Sequence, residues 1–139
     1  MFSWKGAAGI CVNDKKEVLM VLQGAPGEER KWTVPSGTLE EGETFEGCCE
    51  REFFEETGYK VKAGQRCHVK NSYLSDYGIS VYVEYFLVDI IEGNVSLQDP
   101  DELIHEISWK TLEEIKELPL AYIDDVEIME QIMERISIK

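Results

Sequence analysis

The chain has 139 residues, 43% of them apolar and 10% aromatic, with a formal net charge of −14. That length and apolar share support one domain over residues 1–139 with its own core, and they argue against disorder. No apolar run reaches the roughly 18 residues of a membrane span, the start MFSWKGAAGICVND is no secretory leader, and so acidic a surface repels long nucleic acid. The expectation is a soluble, cytoplasmic protein with no membrane and no long nucleic acid among its partners. A polyphosphate partner of such a protein would need divalent cations to supply the positive field.

In chain order, Gly6 to Val12 and Val18 to Leu22 are apolar runs around Asn13-Asp14-Lys15-Lys16-Glu17, which reads as strand, turn and strand. Gly24 to Lys31 is a loop containing Gly and Pro, Trp32 to Pro35 is extended, and Pro35-Ser36-Gly37 reads as a break. Thr44 is a good N-cap for a helix over Phe45 to Thr57 that stops at Gly58. Tyr59 to Lys70 and Ile79 to Ile91 are long extended runs, and the β-branched and aromatic second one belongs in the middle of a sheet. A short strand follows at Glu106 to Trp109, then a short helix capped by Thr111, and a last amphipathic helix from Asp124 or Asp125 to about Ile136. Strands and helices mix without regular alternation, which predicts an α+β fold, a mixed sheet with helices packed on it. Cys11, Cys48, Cys49 and Cys67 lack metal-ligand spacing and read as reduced, buried thiols.

The helix over Phe45 to Thr57 places Glu52, Glu55 and Glu56 within one turn, on an arc beside the apolar stripe of Phe45, Cys49 and Phe53. Like charges so spaced repel one another. The arrangement reads either as a solvated acidic face or as a hard-cation site, since carboxylates are the ligands that Mg²⁺ prefers. Spacing alone leaves both readings open.

Around this cluster, Gly37, five residues, Glu43, seven residues and then Arg51-Glu52-Phe53-Phe54-Glu55-Glu56-Thr57-Gly58-Tyr59 resembles the Nudix box at every defining position. Seven fixed identities at ~7% usage each arise by chance at ~10⁻⁸ per start position. Ser36 stands where that family commonly has Gly, and Cys48-Cys49 where Ala is usual; both changes keep small side chains.

The resemblance implies a mixed β-sheet sandwiched between α-helices, and a metal-dependent pyrophosphohydrolase. It would cleave the diphosphate linkage of a nucleoside diphosphate joined to another moiety by water attack on phosphorus. Carried over to matching positions, Glu52, Glu55 and Glu56 would bind Mg²⁺ or Mn²⁺ with the Gly37 carbonyl. Arg51 would orient a carboxylate, and Glu43 would sit by the helix N-terminus. The general base is a box glutamate or a later one, Glu102 or Glu106, with Glu106 resembling an extra-ligand position. The partner would be a small nucleoside diphosphate derivative, such as a nucleoside triphosphate, dinucleoside polyphosphate or nucleotide sugar. A homodimer stays open, because dimers are frequent in that family.

For the remainder of the substrate, Trp32, Tyr73, Tyr77, Tyr82 and Tyr85 are candidates to stack a base, and Arg30 and Lys31 to meet phosphates. Tyr77 resembles a loose signature of dinucleoside polyphosphate hydrolases. His68 and His105 receive no role. The competing reading is a nucleotide-sensing or interaction module without catalysis; such members usually lose box carboxylates, and this chain keeps all of them.

Overall fold

A computed structural model describes residues 2–96 and 103–138. In chain order the elements are β1 (Phe2–Ile10), β2 (Glu17–Gln23), β3 (Lys31–Thr33), β4 (Ser36–Thr38), α1 (Phe45–Thr57), β5 (Tyr59–Leu74), β6 (Ile79–Gly93), β7 (Ile104–Thr111), α2 (Leu112–Lys116) and α3 (Asp125–Ile138). The strands form a four-stranded mixed sheet in the order β4-β1-β6-β5 and a three-stranded antiparallel sheet in the order β3-β2-β7. The parallel pair is β1 with β6, so β6 lies in the interior of its sheet, as its composition predicts.

The two sheets are joined where β1 turns into β2. Asn13 makes that turn: its side-chain oxygen accepts from the backbone N–H groups of Lys15 and Glu17, at 3.0 and 2.9 Å. Beyond it the Leu19 N–H donates to the Cys11 carbonyl at 3.1 Å. The break expected at Pro35-Ser36-Gly37 falls at Pro35, where the chain leaves β3 of one sheet for β4 of the other, and Ser36 and Gly37 are already extended. Ser36–Thr38 is a short strand, β4, paired antiparallel to β1 with Gly37 opposite Ala7. Proline removes one donor, but its carbonyl still accepts from the Gly9 N–H at 2.9 Å and starts the pairing.

Successive strand residues point to opposite faces, and here both faces are covered. On one face Cys48, Cys49 and Phe53 of α1 pack against Ala7, Leu19, Val61, Phe86 and Val88. On the other, Ile115 of α2 and Ile128, Met129 and Ile132 of α3 pack against Ala8, Ile10, Val18, Met20, Val83 and Tyr85. Ala7 and Ala8 therefore serve different cores from adjacent positions. The arrangement is the expected mixed sheet between helices, with the strands split over two sheets.

The helix carrying the glutamates is fixed at both ends by its own sequence. Thr44 caps it by accepting from the Gly47 N–H at 3.0 Å, and Gly58 ends it in the left-handed region at φ 84°. A Cβ on Gly58 would also lie 2.5 Å from the Asn94 carbonyl oxygen. Replacing Gly58 with Ala therefore combines backbone strain with a clash. It is expected to lower stability by roughly 1–3 kcal/mol in urea unfolding, whereas Thr44→Ala costs about 1 kcal/mol.

Candidate active site

β4 crosses beneath the last two turns of α1, and this crossing brings the glutamates to a cavity. Glu52, Glu55 and Glu56 line a space of about 170 Å³ together with Gln23, Ser36, Gly37, Thr38, Leu103 and Ile104. Glu56 is only 6% exposed, and its Oε1 accepts from the Ser36 N–H at 3.4 Å. Gly37 has a steric reason to be glycine: a Cβ there would overlap the Glu52 carboxylate. The Gly37 carbonyl receives a 3.7 Å contact from the Cys48 thiol. Burial and the charges of Glu43 and Glu52 push that thiol up to about 12, so it stays protonated.

Arg51 organises the carboxylates. Its Nε and one terminal nitrogen bind Glu43 bidentately, at 2.6 and 3.0 Å. Its other terminal nitrogen reaches Glu52 Oε1 at 2.7 Å, Glu55 Oε2 at 3.3 Å and Glu40 Oε1 at 3.5 Å. A further bond to the Thr38 carbonyl, 3.0 Å, ties the same guanidinium to β4. Hydrogen bonding to Arg51 holds Glu43 below the usual carboxylate range. Glu55 is displaced the other way, raised by burial and then by the Glu52 charge.

The structure gathers Gly37, Arg51, Glu52, Glu55 and Glu56 as the sequence implies, and it separates Glu106. That residue opens the short strand expected at Glu106 to Trp109; it lies inside the longer β7, opposite Leu22, exposed and not among the residues lining the carboxylate cavity. A register shift in β7 sets Ile104 opposite Gln23, so Leu103 and Ile104 form the cavity wall instead. Glu102 lies outside the described residues.

The other candidates disperse. Trp32 and Tyr85 are buried in the α3-side core, and Tyr82 donates to Glu84 at 2.8 Å. Tyr73 and Tyr77 stand exposed at and beyond the end of β5. Arg30 is exposed, and Lys31 lines a neighbouring cavity of about 470 Å³ that shares Gln23 and Leu103 with the carboxylate cavity. His105 Nε2 pairs with the Gly24 carbonyl at 2.9 Å, and His68 packs edge-on to Tyr85. Gln23, Ser36 and Thr38 are cavity residues that the sequence reading missed; of these, only Ser36, at the family's usual Gly, carried a signal.

Among the described residues no three acidic, histidine or cysteine side chains are already closed into a ligand set. Arg51 is the reason within this cluster, because it draws one oxygen each of Glu52 and Glu55 toward itself. The donor set nonetheless fits a hard divalent cation: three carboxylates on one cavity, with Glu55 raised by burial and then by the Glu52 charge.

A fold of this topology, with the glutamate helix pinned against β4, defines a class, and comparison with known proteins identifies it. The model of the NUDIX domain matches residues 4–132. The chain belongs to the Nudix family. NAD-capped RNA hydrolase NudC of Haemophilus influenzae is 33% identical over 94 residues, which cover 63% of this chain and 31% of that protein. The chain thus spans less than a third of the length of the curated relatives it matches. A NUDIX hydrolase from Nitrosomonas europaea shares the fold with a TM-score of 0.84 and 20% identity, over 95% of this chain and 89% of that one. The Caenorhabditis elegans Ap4A hydrolase aligns with a TM-score of 0.71 at 17% identity, over 99% and 98% of the two chains.

The opposite displacements of Glu43 and Glu55 are measurable. Followed by side-chain carboxyl ¹³C shifts in metal-free protein on acidification, Glu55 is expected to protonate above the ordinary glutamate value and Glu43 below it. For stability the signs are opposed. The Glu43 contribution is present above the unfolded-state value and lost as pH falls through its lowered one. The raised Glu55 favours the folded state only when protonated, so that contribution disappears as pH rises through its folded value.

Proposed function

We propose that this chain is a Mg²⁺- or Mn²⁺-dependent pyrophosphohydrolase. Its substrate would be a small molecule in which a nucleoside diphosphate is linked to another group. The observation that carries the reading is the placement of Glu52, Glu55 and the almost fully buried Glu56 on one cavity wall beside Gly37.

In this reading Glu52, Glu55 and Glu56 hold the cation, with the Gly37 carbonyl as a further oxygen ligand. When bound, the cation neutralises phosphate oxygens and lowers the pKa of water. Arg51 is a positioning residue: its planar fork, fixed by Glu43 and the Thr38 carbonyl, sets the rotamers of Glu52 and Glu55. Water attacks phosphorus, a new P–O bond forms, the bridging P–O bond breaks, and the departing phosphate leaves with its electron pair. The proton of the attacking water passes to a carboxylate of the same cluster. Glu106, exposed on β7, is left out of that role. With a net charge of −14, the protein has little other means of drawing a polyphosphate to this cavity.

Phosphate and nucleoside monophosphate release from a panel of nucleoside triphosphates, dinucleoside polyphosphates and nucleotide sugars tests this. Wild-type protein is expected to turn over at least one class with Mg²⁺ or Mn²⁺ and to lose that activity in EDTA. Glu56→Gln is expected to lower kcat/KM by two orders of magnitude or more with the fold intact by circular dichroism. Equal turnover in EDTA, or full activity of the variant, would refute the mechanism.

A further inference from the structure

The cavity of about 470 Å³ beside the carboxylates is not used by the water attack. It shares Gln23 and Leu103 as walls with the carboxylate cavity. A diphosphate seated at Glu52, Glu55 and Glu56 therefore has this space next to it for one of the two groups that it joins. The size falls in the ~300–1,000 Å³ range of small-molecule sites.

Backbone bonds pin its walls. Gln23 and Lys31 are register partners at the base of the loop that connects β2 to β3. The Gly24 N–H donates to the Leu103 carbonyl at 3.0 Å, and the Ala121 N–H to the Trp32 carbonyl at 2.9 Å. Within the loop Glu28 folds back on Ala25. The Ala25 N–H donates to Glu28 Oε1 at 2.9 Å, and the Glu28 N–H to the Ala25 carbonyl at 3.0 Å. Gly24-Ala25-Pro26-Gly27 is rich enough in glycine for a phosphate cradle, but a cradle presents successive unspent N–H groups. Here those of Gly24, Ala25 and Glu28 are spent inside the protein, and Pro26 has none.

Side chains are what remains to meet a ligand. Glu28 and Glu29 bring two carboxylates, Lys31 one ammonium and Gln23 an amide, with Leu103 and Ala121 as apolar patches. Two anions against one cation repel a string of further phosphates. No aromatic ring lies among the described lining residues, so a second nucleobase finds no face to stack on and a quaternary ammonium no cage. Carboxylate oxygens accept O–H, while the amide and the ammonium donate to hydroxyl and ring oxygens. Acceptors in excess, two donors and a small apolar patch match a neutral group rich in hydroxyls.

We propose that this cavity seats the sugar of a nucleoside diphosphate sugar. Glu29, Lys31 and Ala121 are then specificity-determining residues, favouring a neutral hydroxyl-bearing group over additional phosphates or a second nucleoside. The proposal rests on the reading of the adjacent carboxylates as a diphosphate-cleaving centre, and it narrows the substrate of that centre. One water is consumed at the P–O–P bridge, and the products are a nucleoside monophosphate and a sugar 1-phosphate.

Matched substrates cancel any preference for the nucleoside: UDP-glucose against UTP, GDP-mannose against GTP, and ADP-glucose against ATP and diadenosine tetraphosphate. With Mg²⁺, wild-type protein is expected to show a kcat/KM at least tenfold higher for one or more of the nucleoside diphosphate sugars than for the matched partners. Ala121→Trp fills the cavity and Glu29→Lys reverses a charge on its wall, and both are expected to bring that ratio to about one or below. Glu29 is exposed, so Glu29→Lys tests the cavity even if the tryptophan variant fails to fold. Binding is read apart from turnover by calorimetric titration of the slow Glu56→Gln variant, with Mg²⁺, using the same three sugars and then UDP, GDP and ADP. The sugar is expected to add at least tenfold in affinity. Equal or better turnover of the phosphate-rich partners by wild-type protein, no gain in affinity from the sugar, or variants that keep the wild-type ratio would overturn the proposal. The two readings fail separately: a gain in affinity from the sugar with no hydrolysis of any compound removes the pyrophosphohydrolase and leaves the subsite, and metal-dependent hydrolysis without a sugar preference does the reverse.

Discussion

One guanidinium carries the site. Arg51 lies within 3.5 Å of carboxylate oxygens of Glu40, Glu43, Glu52 and Glu55. Without it, a cluster this dense on one short segment would repel itself apart and destabilise α1. The bidentate pair with Glu43 fixes the plane of the fork, and the bond to the Thr38 carbonyl fixes that plane relative to β4. Glu43 is thereby a structural anchor, and its lowered pKa follows from the same contact. Glu52 and Glu55 keep only one oxygen each on Arg51. This leaves the cluster able to accept a cation without dismantling the pair that holds it.

The second constraint is the sheet with two buried faces. Adjacent alanines on β1 feed separate cores, so α1 and α3 lie on opposite sides of the same strand. Ser36, on the strand paired to β1, is the residue at which a cavity from each neighbourhood arrives. A small side chain at this position keeps the wall thin. The Ser36 N–H is also a donor to the buried Glu56.

The legibility of the chain was uneven, for physical reasons. The α1 boundaries from Thr44 to Gly58 were readable because capping and left-handed termination are local effects of single residues. The placement of β6 in the sheet interior was readable because a strand buried on both faces needs a continuous apolar run. The break expected at Pro35 ends β3, and extended structure resumes at once at Ser36, because the proline carbonyl still accepts from the Gly9 N–H. That Ile104 of β7 lines the cavity was not readable, because the register shift between Leu22 and Gln23 that sets it there leaves no mark in a linear pattern. Asp125 was read only as a helix opener, since its partners Lys70 and Tyr85 lie 55 and 40 positions away along the chain.

By itself the sequence determined that three glutamates share a helical turn beside a buried stripe, because helical periodicity is set by backbone geometry alone. With the box resemblance it also determined the family. Tertiary structure decided what those glutamates face. The β1–β4 pairing put Gly37 under Glu52, and the start of β7 supplied Leu103 and Ile104 as the opposite wall. It also decided that Asp125, Lys70 and Tyr85 meet. Contacts between distant segments depend on strand order and register, which follow from the packing of the whole chain and not from any stretch of it.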